Sequence, residues 1–146
     1  MTDRRIVLSQ FCDDIRQELG NKYSLMGCYG DEIIIDKLPI ALPKLCVQLR
    51  AVTPLERPFK RLAFRALLND DILAEIELPQ EQLDHASKKI CERENATRLT
   101  YMVIMGFTPL LVNEAARLRI EAETEEGVLN GGCINLRERK PEESPI

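Results

Sequence analysis

The chain has 146 residues, 45% of them hydrophobic and 30% charged, with a formal net charge of -4. That length accommodates one domain with its own hydrophobic core and needs no metal or disulfide staple. The acidic balance counts against nucleic acid as the main partner, and an aromatic content of 5% without tryptophan offers no base-stacking platform.

The first segment, MTDRRIVLSQFCDD, carries two arginines and a short apolar patch. It lacks the long apolar stretch and small-residue cleavage site of an export signal. No segment approaches the roughly 20 apolar residues that span a bilayer. A cytoplasmic protein with no membrane contact is therefore expected. Next comes a Gly20-Asn21 step between two extended runs. Both residues tolerate the positive φ of a hairpin turn, so a β-hairpin is expected there. Its flanks are charged, with Asp13, Asp14, Arg16 and Glu18 before the turn and Lys22 after it.

Alternation then dominates. Leu45, Val47, Leu49 and Ala51 alternate with Cys46, Gln48, Arg50 and Val52. Leu62, Phe64, Ala66 and Leu68 alternate with Arg61, Ala63, Arg65 and Leu67. Ile72, Ala74, Ile76 and Leu78 follow the same rule. Period two is the mark of a half-buried strand, and one apolar face per strand implies sheets packed face to face. Asn69-Asp70-Asp71 reads as a hairpin turn. The stretch 79–95, PQEQLDHASKKICEREN, breaks the pattern. It holds good helix formers, and Leu83, Ala86, Ile90 and Cys91 would share a helical face, so a short helical or loop insert between sheets is expected.

Thr100 to Phe107 is apolar on both faces and reads as a central strand, buried on both sides or under a loop. Ala116 to Thr124 alternates most clearly, with Leu118, Ile120 and Ala122 opposite Arg117, Arg119, Glu121 and Glu123. Glu125-Glu126-Gly127 reads as a turn before a strand from Val128 to Leu136. Within that strand Gly131-Gly132 reads as a β-bulge, since a phosphate loop needs a helix N-terminus after it. Residues 1–137 are expected to form one β-sandwich domain. Residues 138–146, charged and proline-bearing, are expected to be a disordered C-terminal tail.

One resemblance covers residues 5–137. The charged hairpin, Ser24-Leu25-Met26-Gly27-Cys28-Tyr29, Leu38-Pro39 and the run from Leu45-Cys46-Val47 resemble a small uncharacterised family of bacteria and their phages, a domain of unknown function. The matching positions are Asp13 and Asp14, Gly20 to Lys22, Ser24 to Gly27, Pro39 to Pro43, and Arg117 to Leu136. The resemblance implies a β-sandwich of immunoglobulin-like or similar build and carries over no catalytic residue. The insert at 79–95 departs from the family's simpler members.

The chemistry-bearing residues point away from catalysis. His85, the single histidine, sits beside Asp84 in a polar segment and reads as exposed rather than as a general base. Cys12, Cys28, Cys46, Cys91 and Cys133 form no CxxC pair and read as reduced thiols packed as small hydrophobes. No serine sits in a nucleophile elbow. Asp13, Asp14, Asp31 and Glu32 form an acidic hairpin group, a candidate binding surface without a metal-ligand spacing. Arg61, Arg65, Arg117 and Arg119 form a candidate basic stripe for an acidic partner if their strands are neighbours. The expected protein is an all-β, antiparallel β-sandwich that acts without enzymatic activity or cofactor, by binding another protein. A phage or prophage accessory role against a host factor follows from the resemblance. The alternatives are a self-assembling virion or assembly protein and, third, a hydrolase built on the acidic cluster.

Overall fold

The alternating runs all become strands in a computed structural model, which describes residues 4–144. In chain order they are β1 (Ile6–Glu18), β2 (Lys22–Cys28), β3 (Glu32–Ile35), β4 (Ile40–Leu42), β5 (Leu45–Pro54), β6 (Leu62–Leu68), β7 (Asp71–Glu77), helix α1 (Gln80–Cys91), β8 (Arg98–Phe107), β9 (Leu110–Val112), β10 (Ala116–Thr124) and β11 (Gly127–Glu138). One sheet has the order β2-β1-β5-β8 and the other β3-β11-β10-β6-β7, while β4 and β9 pair separately. All pairings are antiparallel except β3, which joins β11 in parallel. The result is a β-sandwich with one helical insert.

The core lies between the two sheets. Leu45, Val47, Leu49 and Ala51 of β5 are each fully buried, and so are Leu62, Phe64 and Ala66 of β6 and Leu118 and Ala122 of β10. Each buried leucine contributes about 2 kcal/mol relative to its exposed state, which is why the period-two signal is so strongly enforced. The hairpin turns supply the register. Glu18 pairs with Lys22, so Leu19 joins Gly20 and Asn21 in a three-residue loop, one longer than the expected two-residue step. Gly20 (φ 87) and Asn21 (φ 58) take the left-handed conformations the loop needs. Asn69 (φ 55) does the same between β6 and β7.

The Gly131-Gly132 bulge is present. Arg119 pairs with Cys133 and Glu121 with Asn130, so two glycines of β11 oppose the single Ile120 of β10. Gly132 sits at φ 93, and Ser9 Oγ donates to the Gly131 carbonyl at 2.6 Å. The bulge thus brings β11 close to β1 of the other sheet.

One strand placement and one helix-face assignment need correction. The segment expected as a central strand, Thr100 to Phe107, lies in β8 at the edge of its sheet. Its second apolar face has another cause: Met102 is half-buried and lines a cavity beneath the β1–β2 hairpin. The insert at 79–95 is a helix, and Leu83 (2% exposed) closes the core while its carbonyl accepts the Tyr101 hydroxyl at 3.0 Å. Ala86 and Ile90 share that face, but Cys91, about 100° further round, is exposed.

Part of the stretch expected as a disordered tail is held. Glu138 ends β11, and residues 140–143 form a turn closed by Glu143 N–H donating to the Lys140 carbonyl at 3.0 Å. Arg137 donates to both oxygens of Glu143 at 2.7 Å and to Glu32 at 2.8 and 3.0 Å. Pro145 and Ile146 of that expected tail lie outside the described residues. The Arg137 guanidinium, helped by the Lys140 N–H, holds the Glu143 carboxyl down to about 2, against an ordinary 4.5. A carboxylate whose folded pKa is lowered stabilises its contact above the ordinary value and loses it as pH falls through the folded value. The turn's amide protection in hydrogen exchange is therefore expected to hold at pH 5 and fade as pH approaches 2. Protection that is already absent at pH 5 would show that the Arg137 grip does not order this turn.

Candidate functional site

The site starts from an asymmetry in β1. Its 13 residues pair with β5 only from Ile6 to Cys12, and with β2 from Cys12 to Glu18. Beyond Cys12 the hairpin has no third strand and forms a two-stranded arm. The arm bends at its root. Gly27 (φ 66) faces Asp13 so closely that a Cβ there would lie 2.2 Å from Asp13 Oδ2. Only glycine fits both the conformation and the space. Lys44, just before β5, pairs with Asp14 at 2.6 Å, and the Ile15 N–H donates to the same carboxylate oxygen at 2.9 Å. The arm therefore lies over the outer face of the first sheet.

A cleft remains between arm and sheet. Asn21, Lys22, Tyr23 and Leu25 line it from the arm, and Gln48, Arg50 and Met102 from the sheet, around a cavity of 420 Å³. A second cavity of 360 Å³ adjoins it, shares Leu25, Gln48 and Arg50, and adds Leu8, Gln10 and Cys28. The second cavity is mostly apolar with a few convergent polar groups, the usual form of a binding site, while the first is lined mainly by polar side chains. Leu8, near the start of β1, is 51% exposed. Gln48 is 7% exposed, and its amide donates only to Met102 Sδ, at 3.2 Å. Arg50 is exposed, and neither it nor Lys22 forms an ion pair among the described residues.

That last point sets the cleft apart from the expected basic stripe. The structure does bring Arg61, Arg65, Arg117 and Arg119 to one outer face, that of the second sheet. Register also brings glutamates between them: Glu75 and Glu121 both stand opposite Arg65. Arg65 pairs with Glu75 at 2.5 Å, Glu121 at 3.2 Å and Glu123. Arg61 pairs with Glu77 at 2.9 Å and Glu123 at 3.2 Å. Arg119 lies 3.7 Å from Glu121, and Arg117 donates to Asn135 at 3.2 Å. Their carboxylate partners raise the pKa values of Arg61 and Arg65, with Glu77 and Glu75 respectively the first cause. The face is a mixed-charge lattice rather than a positive stripe, and little unpaired charge remains to attract an acidic partner.

The acidic group does not gather either. Asp13 accepts from the Tyr29 hydroxyl, Asp14 pairs with Lys44, and Glu32 goes to Arg137. The Asp31 carbonyl accepts the Asn135 N–H at 3.1 Å. The physical reason is the crossover from β2 to β3, which leaves Asp13 and Asp14 on one sheet and delivers Glu32 to the other. His85 lies on the exposed side of α1. Among the described residues no three or more His, Cys, Asp or Glu side chains are placed to hold a metal ion. No described helix is long and apolar enough to cross a membrane.

Sequence reasoning passed over Arg50, Gln48 and Gln10. Alternation placed Gln48 and Arg50 outward on β5, but a solvated face is the ordinary reading of such residues. The one signal was Gln48, an uncharged polar residue between the apolar Val47 and Leu49. Comparison with known proteins found no matching family model, no matching curated protein and no matching solved structure.

Proposed function

We propose that this protein is a non-enzymatic binding module that docks a partner protein in the cleft between the β1–β2 arm and the first sheet. The observation that supports this most is the unpaired Arg50 guanidinium between the apolar walls of Leu8, Leu25 and Met102. Such a cleft suits a segment that presents an apolar side chain next to a carboxylate. A cation without an internal partner keeps its charge available for recognition, where paired surface arginines contribute little. The resemblance to a bacterial and phage family extends the proposal to a cytoplasmic accessory role directed at a host factor.

Self-assembly through an open strand edge is less well supported. The candidate edge is β7, where Ile72 is 59% and Leu73 38% exposed. A bulge at Leu73 and the acidic Asp71, Glu75 and Glu77 oppose pairing with a second copy.

The test compares wild type with Arg50→Glu in pull-downs from host lysate, with quantitative mass spectrometry. A specific partner is expected to be recovered about tenfold less by the variant, a loss of about 1.4 kcal/mol. Equal recovery by two proteins of matching circular dichroism would reject the cleft as the docking surface.

A further inference from the structure

Three cysteines far apart in sequence stand side by side in the fold. Cys12 of β1 is directly opposite Cys28 of β2 on one side and Cys46 of β5 on the other. Directly opposed residues of antiparallel neighbours project to the same face, with Cα atoms about 4.5–5.5 Å apart. Disulfides close over Cα separations of about 4.4–6.8 Å. The row runs from solvent into the protein: Cys28 is exposed, Cys12 is 0% and Cys46 3% exposed. It also crosses the root of the arm, since β1 leaves β5 at Cys12 and β2 ends at Cys28.

We propose that Cys28 and Cys12 are an oxidative modification site that takes a small hydroperoxide and closes as a disulfide across the root of the arm. Cys28, the exposed member, meets the oxidant. Its thiolate attacks the terminal peroxide oxygen, the O–O bond breaks, and the leaving alkoxide or hydroxide takes a proton and departs as alcohol or water. Cys28 is now a sulfenic acid. The Cys12 thiolate attacks the Cys28 sulfur, the S–O bond breaks, and hydroxide leaves with a proton as water. Two thiols and one hydroperoxide become one disulfide, one alcohol or water, and one water. Cys46 stays out of the bridge: it is 3% exposed, and its sulfur lies over Gly106 on the side of β8.

The closing step has a pH signature. Burial first, then the neighbouring Cys46 and Cys28, push the Cys12 thiol up to about 11. Asp13 adds to that rise, and the Asp14 backbone N–H opposes it. Tyr29 and Lys44, the other ionisable groups beside the row, lie against Asp13 and Asp14. Little Cys12 thiolate exists at neutral pH, so closure is expected to quicken as pH rises toward 11, roughly tenfold per unit while the thiolate fraction is small.

The experiment uses the full chain carrying Cys91→Ser and Cys133→Ser, which removes the two other exposed thiols. The protein is treated with hydrogen peroxide, and non-reduced peptides are mapped by mass spectrometry. The expected product is a Cys12–Cys28 bridge, reversed by dithiothreitol. With Cys28→Ser added, a change at an exposed position, Cys12 is expected to stay reduced and to lose its free thiol at least about tenfold more slowly. A bridge that includes Cys46, or a Cys28 carried to sulfinic acid while Cys12 stays free, would overturn the proposal. So would equal Cys12 oxidation with and without Cys28.

Discussion

Arg5→Ala is expected to lower the unfolding free energy by about 3 kcal/mol, the lower end of the range for removing one partner of a buried ion pair. Arg5 stands just before β1 with a side chain only 3% exposed. Its Nε and Nη2 donate hydrogen bonds, and its Nη1 makes an ion contact without one. Nε donates to Thr53 Oγ1 at 3.1 Å, and Nη2 donates to the carbonyls of Arg57 and Pro58, both at 3.0 Å. Nη1 lies 2.5 Å from Glu125, and the group sits 4.6 Å over the Phe59 ring. One side chain thus ties the start of β1 to the loop after β5 and to the turn between β10 and β11. Its loss leaves two carbonyls and a carboxylate short of a donor, and the remaining exposure of Glu125 (23%) is what keeps the cost at the low end.

The same cluster makes the loss pH-dependent. Burial alone would raise the Glu125 pKa. The N–H groups of Lys60 and Arg61 and the Arg5 side chain outweigh it and bring the pKa below the ordinary 4.5. The contribution is therefore present above pH 4.5 and disappears as pH falls through the lowered value. Urea unfolding at pH 7 and pH 3 checks both points. The gap between wild type and Arg5→Ala is expected to be large at pH 7 and smaller at pH 3. A variant within about 0.5 kcal/mol of wild type at pH 7, the scatter of ordinary surface substitutions, would show that the cluster does not hold the sandwich together.

Gly131→Ala is expected to cost about 2–3 kcal/mol, the upper part of the range for overpacking a core. A Cβ at Gly131 would lie 2.7 Å from Ile120 Cγ2 and 2.8 Å from Val7 Cγ1. Those atoms belong to different sheets and to residues that are 1% and 8% exposed. Both are β-branched and stiff at χ1, so neither moves aside cheaply. The new methyl must push the sheets apart locally, and Ser9 would lose its 2.6 Å bond to the Gly131 carbonyl. A thermal melt is the direct check. A drop of several degrees is expected for a chain of this size. Unchanged melting would mean that β11 slides along β1 to make room. Gly20, where a Cβ would meet nothing within 4 Å, is the comparison that separates crowding from backbone strain.

The parts of the fold legible in advance were those where one physical rule acts on a single strand. Alternation marked β5, β6, β7 and β10 because each has one face against the core. Gly131-Gly132 was readable as a bulge because paired glycines inside a strand have few other uses. β8 was misplaced to the centre of its sheet for a reason local pattern does not contain. Met102 of its second apolar face lines a cleft with a hairpin more than 70 residues earlier in the chain. The candidate stripe failed in a related way. The four arginines do share a face, but Glu75 and Glu77 come to it from β7, and charge balance between strands depends on register.

The amino-acid sequence by itself determined that this is an all-β chain with one insert that breaks the strand pattern, which strand faces are apolar, and where the turns fall. These are consequences of period, turn chemistry and propensity, all of which act over a few residues. Only the tertiary structure decided that Arg50 stands unpaired in a cleft while Arg65 is neutralised, and that Cys12, Cys28 and Cys46 form one row. Both depend on strand order, strand register and the bend of the β1–β2 arm. Those are set by the burial of the whole core at once, because no short stretch of chain can tell which distant strand will become its neighbour.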